Sequence, residues 1–246
     1  MNTGFKGLDN LINIEQPQLI LLAGTPFVDM LSGDIANNVC INQECEVLEI
    51  VKNKKEYLIK RLLVNNAMVD YKKWTEKDQY TKEELQQIGQ STVNLIETTR
   101  RLPTIIEQDL NLYNLKKVAK LVSDFANEYA DKEKVSTLVV LDIFPLSEII
   151  KKQDAKIDTK KSIALIRRLK KISSKLRCTI ILIDNIDNIN KINKYVDTFI
   201  ITNKHETKEI ENTYIFNLDI YRQKEKIGTC KLKYDFKSRK FLDYKE

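Results

Sequence analysis

The sequence predicts an α/β domain whose central sheet is mostly parallel, with helices flanking the sheet and antiparallel strands at its C-terminal edge. Short apolar segments alternate with longer segments of helical periodicity between residues 18 and 183, an order of elements typical of a parallel sheet. After residue 198, strand-like segments follow one another with only turn-like residues between them, as expected for antiparallel strands.

Short, continuous apolar runs mark the strands of the parallel part. The first run closes on a glycine (QLILLAG), and another (TLVVLD) is rich in β-branched residues. Because polar residues do not alternate through these runs, the strands are predicted to be buried on both faces. Strands are predicted at residues 18–24, 46–51, 105–106, 137–142 and 179–183.

Helical periodicity accounts for most of the segments between these strands. Apolar residues recur at helical spacing in residues 32–39, through much of residues 54–127, and in residues 163–176. The C-terminal strands are predicted at residues 198–202, 213–221 and 228–236, with turns at 206–212 and 223–226.

Length and composition fit one domain spanning residues 1–246, because a chain of 246 residues with 42% hydrophobic content buries one sizeable core. No apolar run approaches the roughly 20 residues that cross a bilayer, so we expect no membrane partner and a cytoplasmic location. The formal net charge of +6 permits nucleic acid as a partner without indicating it.

The cysteines and the basic tracts can each be explained without a bound metal ion or nucleic acid. Cys40, Cys45, Cys178 and Cys230 lack CxxC spacing, which favours buried thiols over a metal site, and no metal ligand is assigned. The basic tracts at residues 151–161 and 167–175 favour a solvated helix face, with a nucleic-acid groove as the alternative.

Several segments, taken in order, carry a family resemblance. TGFKGLDNLI precedes the strand LILLAG, EVLEI forms the next strand, and VVLDIFPLSEII and YVDTFII follow at residues 139–150 and 195–201. In order and spacing these segments resemble the C-terminal motor domain of DnaB-type replicative helicases, over residues 3–244. The resemblance implies a RecA-like P-loop NTPase fold and, in the family, ATP and Mg²⁺ as cofactors.

The resemblance places the ATP-binding loop after the first strand, where the family's Gly-Lys-Thr falls on Asp29, Met30 and Leu31. A P-loop needs glycines that admit the phosphates, a lysine, and a hydroxyl for Mg²⁺, and no lysine occurs between Gly7 and Lys52. A carboxylate at Asp29 would also repel a triphosphate. We therefore expect a degenerate Walker A loop, with no cofactor unless the divergent site still binds ATP and Mg²⁺. The loop residues implied are Gly24, Thr25, Pro26, Asp29, Met30 and Leu31.

Four further positions are implied by the resemblance. Glu49 matches the family's general base and Asp142 matches the Walker B aspartate that helps to hold Mg²⁺; alternatively, both are strand-end acids in solvent. Asn185 stands where the family has a sensor glutamine. Arg222 stands near the arginine finger, out of register by about one residue, and is alternatively a residue of a hairpin turn.

The resemblance begins close to the first residue, so the family's N-terminal primase-binding domain is expected to be absent. Residues 186–194 are also shorter than the family's DNA-facing loop. The expected function is that of a catalytically inactive relative that acts as an interaction or regulatory partner of replication proteins, the replicative helicase or its loader first among them. The alternatives are an ATP-dependent DNA helicase or ATPase with a divergent site, and a charge-driven module with weak DNA binding. An oligomer is compatible with each.

Overall fold

The computed structural model describes residues 1–24, 27–43, 45–51, 54–70, 73, 80–98, 102–108, 115–131, 136–142, 155–184, 192–204 and 213–244. Thr25, Pro26, Asn185 and the turn predicted at residues 206–212 lie outside the described residues.

Nine strands of the described chain form one sheet, in the order β3-β2-β4-β5-β1-β6-β7-β8-β9. Neighbouring strands are parallel from β3 to β6 and antiparallel from β6 to β9. The strands are β1 (Leu19–Gly24), β2 (Glu46–Val51), β3 (Thr104–Glu107), β4 (Thr137–Asp142), β5 (Thr179–Asp184), β6 (Thr198–Lys204), β7 (Thr213–Arg222), β8 (Glu225–Asp235) and β9 (Lys240–Asp243).

Helices lie on both faces of this sheet. They are α1 (Lys6–Asp9), α2 (Val28–Gln43), α3 (Lys55–Ala67), α4 (Lys82–Thr98), α5 (Leu115–Glu128) and α6 (Ala155–Leu176). Alternate residues of β1 enter different cores: Ile20 and Leu22 pack in the core that contains α2, whereas Leu19 and Leu21 pack in the core that contains α5 and α6. The parallel strands are therefore buried on both faces, as their continuous apolar sequences predict.

The predicted fold class is confirmed, and β2 and β4 have the predicted bounds. Two helices begin earlier than predicted. Helix α6 begins at Ala155 and not at residue 163, and α2 begins at Val28 and therefore includes Asp29, Met30 and Leu31 in its first turn. None of the helices in the described part of the chain is both long and apolar enough to cross a membrane.

Candidate functional site

The carboxyl ends of β1, β2 and β4 lie at one edge of the sheet. Gly24 ends β1, and Val51 at the end of β2 pairs with Asp142 at the end of β4. Helix α2 begins four residues after Gly24, at the same edge. In open parallel sheets this edge is the usual place for a ligand.

Gly24 is required here by strand packing. Its φ is +139°, and a Cβ at this position would lie 2.3 Å from the backbone oxygen of Thr202 on β6. The Thr202 hydroxyl also donates a hydrogen bond to the backbone oxygen of Ala23, at 3.3 Å. The glycine is therefore explained by the close approach of β1 to β6, without any ligand.

Met30 and Leu31, at the positions of the family's lysine and threonine, are held by protein contacts. The Tyr234 hydroxyl donates to the Met30 sulfur at 2.8 Å. Leu31 is fully buried in the core beneath α2. Phe27, just before the helix, packs against the rings of Tyr234 and Phe216, with centroids 4.9 and 5.3 Å away. Apolar contacts thus fasten the start of α2 to the C-terminal strands.

Lys54 joins the two carboxylates of this edge. Its Nζ lies 3.0 Å from Oδ2 of Asp29 and 3.0 Å from Oδ2 of Asp142. Burial alone would lower the pKa of Lys54, but the charges of Asp142 and Asp29 outweigh burial and raise the pKa. Burial raises the pKa of Asp142 although the ion pair with Lys54 opposes that rise. We conclude that Lys54 is a cation held between two acids at neutral pH.

Glu49 is buried beside this ion pair. It lies inside β2, opposite Val140 of β4, and only 4% of its surface is exposed. Burial raises the pKa of Glu49 to about 8; Arg61 opposes the rise, and the charges of Asp142 and Asp34 add to it. The interpretation of Glu49 as a solvated strand-end acid is therefore wrong, and at neutral pH the side chain is mostly protonated.

Stability should depend on pH through Glu49. Because its pKa in the folded state is about 8, against 4.5 ordinarily, Glu49 stabilises the fold in its protonated form. This contribution is complete below pH 4.5 and is lost as the pH rises to about 8. In the wild type the free energy of unfolding should fall with rising pH between pH 5 and 8. We expect this slope to be smaller in Glu49→Gln, by up to about 1.4 kcal/mol per pH unit.

Urea unfolding at pH 5, 6, 7 and 8 measures this slope. Glu46→Gln is the matched control, because Glu46 lies on the same strand and is half-buried. Equal slopes in the wild type and in Glu49→Gln would contradict the assignment of the proton to Glu49.

A buried ion pair between Arg61 and Asp34 holds α2 in place. Arg61 of α3 donates to Oδ1 of Asp34 at 2.7 Å and to the backbone oxygens of Met30 and Arg239 at 2.9 and 3.1 Å. Oδ2 of Asp34 accepts from the backbone N–H of Phe241 at 2.8 Å. These bonds tie α2, α3 and β9 together, so the first turn of α2 has little freedom to rearrange around a ligand.

Arg222 lies at the opposite end of the sheet. It ends β7 and pairs with Thr198, the first residue of β6, whereas Gly24 pairs near the other end of β6. The structure therefore brings Asp29, Asp142 and Glu49 to one edge and leaves Arg222 away from it. A role for Arg222 towards a neighbouring subunit stays a prediction, as do the roles of Thr25, Pro26 and Asn185.

The sequence interpretation missed Lys54. The ATP-binding loop after β1 has no lysine near it in sequence, because none occurs between Gly7 and Lys52. The sequence therefore predicted a site without any cation. Lys54 instead comes from the segment after β2, three residues beyond Val51, which pairs with Asp142. The position of Lys54 just after β2 could have indicated its role, since a residue that follows a strand lies close to the ends of the neighbouring strands.

The described residues do not fit Mg²⁺-ATP. Asp29 and Asp142 each contact an ammonium group through Oδ2, and Asp29 places negative charge where a triphosphate would need positive charge. In the described part of the chain, no group of three or more His, Cys, Asp or Glu side chains could hold a metal ion.

A mostly parallel sheet with ligand-type residues at its carboxyl edge and an antiparallel extension defines a RecA-like α/β domain. The family model "DnaB-like helicase C terminal domain" matches residues 1–193, and the chain belongs to this family. A search of curated protein sequences found no match.

Solved structures agree on the fold. The chain is similar to a solved ATPase domain, with a TM-score of 0.75 at 17% identity, over 99% of this chain and 90% of that one. It is also similar to "The Structure Of A DnaB-Like Replicative Helicase And Its Interactions With Primase", with a TM-score of 0.77 at 16% identity. This match covers 99% of the present chain and 61% of the helicase. "Crystal structure of the RadB recombinase" matches with a TM-score of 0.58 at 14% identity, over 99% of both chains.

Proposed function

We propose that this DnaB-like domain is catalytically inactive and acts by binding other replication proteins. The observation that carries the proposal is the Lys54 bridge between Asp29 and Asp142. In an active site of this kind, positive charge from a lysine and a metal ion faces the phosphates. Here the chain supplies its own cation, and the two acids of the site are already paired with it.

Glu49 supports the same conclusion. A general base must be ionised and within hydrogen-bond reach of the water that it activates. With a pKa raised to about 8 by burial and 4% of its surface exposed, Glu49 is mostly protonated at neutral pH and has little access to water. The presence of Glu49 is therefore not evidence that this domain hydrolyses ATP.

Family membership supports a partner among replication proteins. The helicase structure with the TM-score of 0.77 concerns a replicative helicase and its interactions with primase. A domain that keeps this fold offers the same faces of the sheet and helices for docking, and loss of catalysis does not remove them. We therefore propose the replicative helicase or its loader as the partner, with an oligomer of the present chain as a compatible arrangement.

ATP hydrolysis tests the catalytic half of this proposal. We expect the purified protein and an Asp142→Ala variant to release phosphate from Mg²⁺-ATP at the same background rate, with and without single-stranded DNA. Hydrolysis by the wild type that Asp142→Ala lacks would contradict inactivity and favour an ATPase with a divergent site.

The interaction half needs a separate measurement. We expect size-exclusion chromatography of this protein with the purified replicative helicase, or with its loader, to give a complex in nucleotide-free buffer. If neither protein co-elutes at micromolar concentration, the proposed partners are wrong.

A further inference from the structure

A basic groove lies at the amino ends of β1 and β6, at the opposite end of the sheet from Lys54. It has a volume of about 500 Å³ and is bounded by the segment before β1, the start of β6 and the turn between β7 and β8. Four of its lining side chains are cationic and one is a carboxylate: Lys170, Lys194, Arg222, Lys224 and Asp197.

The single carboxylate is already engaged. Oδ1 of Asp197 lies 2.9 Å from Nζ of Lys170, and Oδ2 accepts from the backbone N–H of Leu19 at 2.9 Å. Lys194, Arg222 and Lys224 are exposed, and in the described part of the chain none of them forms an ion pair. The groove therefore presents three uncompensated positive charges, which suit an anionic ligand with several charges.

The remaining lining favours a peptide over a nucleic acid. Grooves that bind single strands combine cations with aromatic rings on which bases stack. No aromatic side chain is among the described lining residues of this groove. The adjacent Tyr195 ring is already contacted by Lys194 and Arg167, whose cationic groups lie 5.1 and 4.9 Å from its centroid. Instead, amide side chains such as Asn13, Gln16 and Gln223 line it, and amides can both donate to and accept from a peptide backbone. Pro17 and Val196 add small apolar contacts.

The β7–β8 turn fixes the backbone from which two of these side chains extend. The backbones of Arg222 and Glu225 pair as the last residues of the β7–β8 ladder, on either side of a two-residue turn. Both turn residues, Gln223 and Lys224, have positive φ (49° and 73°). This is the backbone of the tight hairpin turn that matches strand twist. The backbone positions of Arg222 and Lys224 are thus fixed by the strand and the turn, so both exposed side chains extend from set points at the groove.

We propose that this groove binds an acidic, extended peptide segment carrying at least three Asp or Glu residues, supplied by a partner protein. The inference rests on the proposed interaction role, because it names the chemistry of the partner. It does not depend on the nucleotide site, which lies at the other end of the sheet.

Fluorescence anisotropy with a labelled peptide of eight glutamates tests the proposal in nucleotide-free buffer at 50 mM salt. An eight-residue oligothymidylate of similar charge is the second probe. We expect the peptide to bind more tightly than the oligonucleotide, and the double variant Lys194→Ala, Arg222→Ala to bind the peptide at least about tenfold more weakly. The double variant Lys116→Ala, Lys120→Ala is the control, since it removes the same charge from the exposed side of α5.

A second variant separates binding from folding. Asn-Gly is the preferred sequence for a turn with two positive φ values, so Gln223→Asn, Lys224→Gly should keep or raise stability while removing one groove cation. We expect it to weaken peptide binding without lowering the melting temperature.

Three results would overturn the proposal: no peptide binding at 50 mM salt, equal losses in the groove and control variants, or tighter binding of the oligonucleotide that the groove variant abolishes. The last result would assign the groove to nucleic acid. Because these measurements contain no ATP, failure here leaves the ATP hydrolysis result, and with it the inactive site, unaffected.

Discussion

Replacing Arg61 with methionine should lower the free energy of unfolding by about 3–5 kcal/mol, the largest effect expected of any single substitution in the buried ion-pair network. Arg61 is 1% exposed, and it donates to Asp34 and to two backbone oxygens. Its loss leaves the Asp34 carboxylate, which is 2% exposed, without its ion-pair partner. Burial already raises the pKa of Asp34 although Arg61 opposes it, so in the variant Asp34 should take up a proton. Urea unfolding at pH 7 measures the loss.

Two comparisons make this expectation specific. The double variant Arg61→Met, Asp34→Asn should recover part of the loss, because a neutral amide avoids the cost of protonating the buried Asp34 carboxylate at pH 7. Lys60→Met breaks the exposed pair with Glu56 on the same helix and should leave stability unchanged within error. A loss in Arg61→Met no larger than in Lys60→Met would contradict the structural role of the buried pair.

Replacing Lys54 with methionine should lower the free energy of unfolding by about 1–2 kcal/mol at pH 8, allowing for its 38% side-chain exposure. The variant leaves Asp29 and Asp142 facing each other without a cation. Because protonation of Asp142, whose pKa burial raises, relieves the repulsion from Asp29, the difference from wild type should shrink as the pH falls towards 4. Chemical denaturation of both proteins across this range measures it.

Lys55→Met is the matched control for this variant, since Lys55 is adjacent and exposed, and the structure records no ion pair for it among the described residues. If Lys54→Met and Lys55→Met have the same stability at every pH, the bridge does not stabilise the fold and its role at the site must be reconsidered.

The fold was largely predictable because strands buried on both faces must be apolar throughout. That constraint is visible in LILLAG, EVLEI and TLVVLD, and it located β1, β2 and β4 to within a residue. Helix ends were less predictable. The family resemblance assigned Asp29 and Met30 to the ATP-binding loop, whereas both lie in the first turn of α2, where Asp29 contacts Lys54 and Met30 contacts Tyr234.

The candidate site was predictable only in part. Resemblance to the family placed Asp142 and Asp29, and the structure brings both to one edge. The resemblance could not give the protonation state of Glu49, because its burial depends on the packing of α2 over β2 and its pKa on the charge of Arg61, which are not neighbours of Glu49 in sequence. The Lys54 bridge was hidden for a related reason: its two partners lie 25 and 88 residues away along the chain.

We propose that the Lys54 ammonium occupies the carboxyl edge of the sheet, where an active relative would bind the nucleotide. Isothermal titration calorimetry of Mg²⁺-ATP into the wild-type protein tests this proposal, with an active DnaB-type domain as the positive control. We predict no binding heat up to millimolar nucleotide. Saturable binding with a micromolar dissociation constant would contradict the claim and would mean that Lys54 leaves the two carboxylates when nucleotide arrives.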